Sequence, residues 1–96
     1  MITPTIHLNG TSADELIEQL DRAQRAVLDA TKALAQAAPN GRDYYPQGAT
    51  AAVQAIGEHR VRLTALAGIR TDLLAILESV LDQQEQRVTA RKRAEA

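Results

Sequence analysis

One stretch, Asn40 to Gly48 (NGRDYYPQG), limits the fold more than any other, because it interrupts a chain whose remaining pattern is almost wholly helical. Together with Pro39 it runs to roughly ten residues, and a helix–helix connection needs only about 2–8. Proline at both ends of such a segment removes backbone donors and stops a helix from passing through. The segment also carries both tyrosines of a chain that has no Phe and no Trp. Two long helices joined by a loop that does more than turn are therefore expected.

The first helix is expected over residues 12–38. Ser12 at the N-cap with Glu15 three positions on forms a capping box, and Asp14, Glu15 and Glu18 oppose the positive end of the helix dipole. Ala13, Leu16, Leu20, Ala23, Val27, Ala30, Leu34 and Ala37 keep the 3/4 spacing of a heptad seam, and the alanines require a close neighbour. Pro39 biases Ala38 away from helix, and Asn40-Gly41 offers left-handed residues to end it.

The second helix is expected over 49–90, followed by a polar tail over 91–96 whose Arg91, Lys92 and Arg93 complement a helix C-terminus. One seam runs through Val53, Ile56, Leu63, Leu66, Leu73, Leu77 and Val80, with Ile69 and Ile76 beside it. A second stripe, Ala67, Leu74, Leu81 and Val88, recurs every heptad on an adjoining face. Two apolar faces predict two helical neighbours. Gly57 and Gly68, each costing about 1 kcal/mol against Ala inside a helix, are expected where helices approach closely.

Ahead of the first helix, residues 1–11 alternate weakly through Ile2, Pro4, Ile6 and Leu8 and end in Asn9-Gly10, the pattern of an extended arm closing in a turn. His7 within it reads as a half-exposed surface side chain. The arm and the two helices make one domain of 96 residues, and a hairpin that small encloses a core worth only about 3–5 kcal/mol. The predicted fold is all-α: a two-helix antiparallel hairpin with an extended N-terminal arm, assembling into a homo-oligomeric helical bundle.

Charge and residue types exclude several functions. Eleven Lys and Arg against twelve Asp and Glu leave a net charge of −1, without the basic excess of a duplex-binding protein. There is no cysteine, hence no disulfide framework and no thiolate metal site. No apolar run approaches the roughly 20 residues of a membrane span, and the first residues lack a signal-peptide pattern. A soluble protein of the cytoplasm is expected. Catalytic signatures are missing: the histidines are His7 and His59 alone, and neither a Walker loop, a dinucleotide fingerprint, a nucleophile elbow nor His-Glu-x-x-His occurs. His7, Asp43 and His59 show no ligand spacing. The chain is read as non-catalytic, with no metal and no cofactor.

Binding chemistry is present in the loop. Guanidinium offers a donor fork to phosphate, tyrosine faces stack on a base and amides read its edge, so Asn40, Arg42, Tyr44, Tyr45 and Gln47 form the inventory of a nucleotide site. Glu58-His59-Arg60-Val61-Arg62 adds His59 and Arg62 at i and i+3, within reach of a folded-back loop. The plainer reading is that the tyrosines cap the bundle end, Arg42 pairs with Asp43 or Glu58, and His59 and Arg62 sit on a solvated face. The Tyr45-Pro46 bond is expected trans.

These residues also carry a resemblance. His7-Leu8-Asn9-Gly10-Thr11-Ser12, the Asn40–Gly48 motif and Glu58-His59-Arg60 resemble a group of short proteins encoded by bacteriophages and prophages, over nearly the whole chain up to about Gln84. Small phage proteins of this size often counter host defence, and some all-helical ones sequester cyclic-nucleotide immune signals. The resemblance implies a non-catalytic anti-defence protein of the host cytoplasm that captures a small phosphate-bearing nucleotide as a sponge. Two alternatives stay open: an inhibitor or adaptor of a host defence protein, with the tyrosine loop as its anchor, and a structural or packaging accessory. At about 1.5 Å per residue, a first helix of some 26 residues separates the arm from the loop by roughly 39 Å. Unless the arm folds far back, a shared site therefore needs two chains, and an antiparallel two-fold pairing is expected to let Asn9 and Thr11 of one complete a pocket formed by Arg42, Tyr44 and Tyr45 of the other.

Overall fold

The computed structural model describes residues 1–95. It is all-helical among those residues, with two long helices, α1 (Ala13–Gln36) and α2 (Ala51–Glu95), packed against each other. Two single-turn 3-10 helices, Gly41–Asp43 and Tyr45–Gln47, lie between them. The chain forms two compact units, Met1–Arg25 with Thr71 onward, and Ala26–Arg70. No helix among the described residues is long and apolar enough to cross a membrane.

The first unit begins with the arm, which packs along α2. Gln83 grips it at two points: the Ile6 amide donates to Gln83 Oε1 at 2.9 Å, and Gln83 Nε2 donates to the Pro4 carbonyl at 2.8 Å. One side-chain amide thus satisfies a donor and an acceptor two residues apart, as a neighbouring strand would. One helical turn earlier, Ser79 Oγ meets Thr3 Oγ1 at 3.1 Å. Beyond Ile6 the chain turns, the Gly10 amide donating to the His7 carbonyl at 3.2 Å. His7 is exposed.

α1 then starts as the residues require. Ser12 Oγ accepts from the Glu15 amide at 3.2 Å, and Asp14 and Glu15 occupy the first turn. Asp14 also accepts from Gln84 Nε2 of α2 at 2.8 Å. On the outer face Arg22 pairs with Glu18 at 2.7 Å and Arg25 with Asp21 at 2.9 Å, both at i, i+4. The Gln24 amide donates to Asp21 Oδ1 at 3.0 Å. That bond first, and then Arg25, hold the Asp21 carboxyl below its ordinary range. Leu77 and Val80 on α2 are the only buried apolar side chains among the described residues, and Val80 is 0% exposed.

In the second unit α1 ends at Gln36, two residues short of the expected Ala38, and closes with a tight bond from the Ala37 amide to the Leu34 carbonyl at 3.0 Å. Asn40-Gly41 does not supply a left-handed stop. Asn40 is extended at φ −100° and caps the first 3-10 turn, and the only positive φ among the described residues is that of Gly48, at 113°. No peptide bond there is cis, the Tyr45-Pro46 bond included. α2 begins at Ala51 instead of 49 and continues through the expected tail to Glu95. Arg, Lys, Ala and Glu are all good helix formers, and Lys92 and Arg93 in the last turn favour the dipole, so nothing there breaks the helix.

Most expected seam positions are shielded, Ala13, Leu16, Leu20, Ala23, Val27 and Leu34 on α1 and Leu63, Leu66, Leu73, Leu77 and Val80 on α2, but the line departs from expectation at several positions. On α1 the shielded line passes through Ile17, Leu20, Gln24, Val27, Thr31 and Leu34, with Gln24 buried, whereas Ala30 and Ala37 are exposed. On α2 it passes through Ala52, Ala55, His59, Leu63, Leu66, Leu73, Leu77 and Val80; Val53 is 72% and Ile56 37% exposed. The bulkier Val53 lies outside the line, while Ala52 and Ala55 lie on it. Gly57 and Gly68 are exposed, and a Cβ at either would meet nothing within 4 Å. They are not points of close helix–helix contact in this chain.

Candidate functional site

The loop is held in one shape by its own backbone. Asn40 Oδ1 accepts from the Arg42 amide at 3.0 Å. Successive amides then bond three residues back: Asp43 to Asn40 at 2.9 Å, Tyr44 to Gly41 at 3.1 Å, Gln47 to Tyr44 at 2.9 Å and Gly48 to Tyr45 at 3.1 Å. Proline in the second 3-10 turn fixes φ where the amide has no bond to make. Gly48 takes the positive φ that lets the chain enter α2.

This scaffold separates the two tyrosines. Tyr44 is half-buried and, with Gln47, Ala51, Gln54, Ala55 and Glu58, lines a concavity of about 170 Å³. Tyr45 stands out at 75% exposed, a poor cap for a bundle end. Arg42 is exposed, forms no ion pair with Asp43 or Glu58 among the described residues, and is not part of the lining. Asn40 keeps its NH₂ group for a ligand, while its oxygen already accepts one bond in the cap.

Glu58 organises the neighbouring face of α2. Its carboxylate accepts from Gln54 Nε2 at 3.2 Å and lies 4.0 Å from the Arg62 guanidinium. Gln54 and Glu58 are absent from the expected set, although their i, i+4 spacing on a helix that starts beside the loop was visible. His59 departs from its expected role. At 7% exposed it is buried in the second unit, and its Nε2 has no hydrogen-bond partner among the described residues. The structure therefore brings Tyr44 and Gln47 together with Gln54 and Glu58, with Arg62 reaching that group only through Glu58, and leaves Arg42 and Tyr45 exposed outside it. Asn9 and Thr11 are exposed and belong to the first unit.

The geometry limits the chemistry. A concavity of about 170 Å³ is below the roughly 300–1,000 Å³ of small-molecule sites. Its six lining residues include one carboxylate and no cation, so a phosphate inside it would face the Glu58 carboxylate with no cation in the lining to hold it. Among the described residues no group of three or more His, Asp or Glu is placed to hold a metal ion.

Fold and site together define a small all-helical chain that presents a fixed tyrosine loop. Compared with protein-family models, curated proteins and solved structures, the chain finds no match in any of the three.

Proposed function

We propose that this chain is a non-catalytic, self-associating interaction protein whose tyrosine loop anchors a partner protein. The observation that carries the reading is Tyr45, three-quarters exposed on a loop whose backbone is already ordered. An exposed aromatic on the same loop as an exposed arginine is what interface anchors are made of, and a pre-ordered loop loses little entropy on docking. The resemblance of the Asn40–Gly48 motif to short phage-encoded proteins makes a host defence factor the kind of partner proposed. A photo-crosslinking residue at position 45 should capture one host protein, and Arg42→Ala with Tyr45→Ala should weaken its binding by about 2 kcal/mol or more.

Nucleotide capture is the second reading, favoured by Tyr44, Gln47 and Gln54 around one concavity. Melting the chain with linear and cyclic nucleotides separates the two. A ligand at about 100 times its Kd adds roughly 2.7 kcal/mol of stability. A rise for one nucleotide that Tyr44→Ala abolishes would replace the protein partner with that ligand; a flat panel supports the partner protein.

A further inference from the structure

The largest mismatch between this chain and a self-sufficient fold lies in α2. Apolar residues of α1 gather on one side, whereas those of α2 do not keep to a single face along its 45 residues. An apolar stripe on a second face of such a helix calls for a second neighbour. Yet Leu74, Leu81 and Val88, which follow one another at heptad spacing within the first unit, are 36%, 44% and 45% exposed. The arm anchors at Thr3, Pro4 and Ile6 onto Ser79 and Gln83 of α2, and none of its hydrogen bonds reaches that stripe.

Surface area says how much cover is missing. The chain exposes 7313 Å², whereas a compact monomer of 10.4 kDa exposes roughly 5,400 Å². The surplus is about 1,900 Å² per chain, or about 3,800 Å² for a pair, inside the roughly 2,000–5,000 Å² typical of obligate homodimers. Buried apolar side chains tell the same story, since Leu77 and Val80 alone fall in that class among the described residues. A core of that size does not offset the entropy of ordering the chain. The cover must therefore be present whenever the chain folds, and a second copy of the same chain always is.

We infer that the Leu74–Leu81–Val88 stripe of α2 is the centre of a homodimer interface, the same stripe of a second copy packing against it. A two-fold contact of this kind is isologous, so each side chain in it counts twice. The inference deepens the self-association in the proposed function and is independent of what the loop binds.

Sedimentation equilibrium at micromolar concentration tests it. The native chain should sediment at twice 10.4 kDa, and its melting temperature should rise with concentration, as folding coupled to association requires. Leu81→Ala should weaken self-association roughly ten- to hundredfold, because about half a leucine side chain is lost from each of two copies. Arg42→Ala with Tyr45→Ala should leave the dimer unchanged, which keeps failure of the loop reading distinct from failure of this one. A folded 10.4 kDa species with a concentration-independent melting temperature overturns the inference. So does a dimer whose dissociation constant is unmoved by Leu74→Ala and Leu81→Ala.

Discussion

Replacing Gln83 by leucine keeps most of the side chain's bulk and removes the amide that holds the arm. Two hydrogen bonds to the arm disappear, to the Ile6 amide at 2.9 Å and the Pro4 carbonyl at 2.8 Å, both partly buried, along with a longer one within α2 to Ser79 Oγ at 3.4 Å. At about 0.5–1.5 kcal/mol for each arm bond, the loss is about 1–3 kcal/mol. It should appear first as local opening of the arm, because a terminal segment can detach while the helices stay paired. Amide hydrogen exchange at Ile6 reads that opening directly, and the predicted loss of protection is roughly 5- to 150-fold. Gln83→Glu retains the acceptor for Ile6 and removes the donor to Pro4, so Ile6 should lose less protection than in Gln83→Leu. An Ile6 amide that exchanges at the same rate in the native chain and in Gln83→Leu would refute the clamp, and with it the packing of the arm along α2.

Ser12→Ala removes the cap on the Glu15 amide and should cost about 1 kcal/mol, measured by denaturant unfolding. Gly57→Ala and Gly68→Ala, where a Cβ meets nothing within 4 Å, should each stabilise by about 1 kcal/mol in the same assay; a loss at either position would place a packed neighbour there. Asp21 has a depressed carboxyl pKa in the folded chain, so its contribution is present above the ordinary Asp value of about 3.9 and fades as pH falls through the lower folded value. Melting curves from pH 6 down to about pH 2 should accordingly show Asp21→Asn losing less stability on acidification than the native chain; parallel curves would deny Asp21 that role.

Much of the local structure is written in the sequence. The Ser12 cap, the acidic first turn, the helical patterns on either side of the loop and the interruption from Pro39 to Gly48 are all local. Each follows from a missing donor, a cap or a periodicity that short-range chemistry enforces. The candidate site was half legible. Tyr44 and Gln47 fall together as expected, but the carboxylate of Glu58 that faces them changes the ligand that the group can accept. His59 shows the opposite failure, since its i, i+3 relation to Arg62 holds along the helix and yet burial separates their roles.

What only the tertiary structure decided is direction around each helix and pairing across the chain. Spacing fixes a period but not which of two adjacent phases faces the neighbour. In α1 the phases share Leu20, Val27 and Leu34, and differ in whether Ala30 or Thr31 is shielded. Alanine buries so little area that burial alone does not choose between them. The choice that buries Gln24 depends on how closely the second helix approaches, a distance no local pattern contains. Gln83 makes the same point from farther away: its partner Ile6 stands 77 residues earlier in the chain. A lone polar residue on a helix looks like solvent-facing surface until folding brings a backbone to it, because a hydrogen bond depends on proximity in space and leaves no period in the sequence.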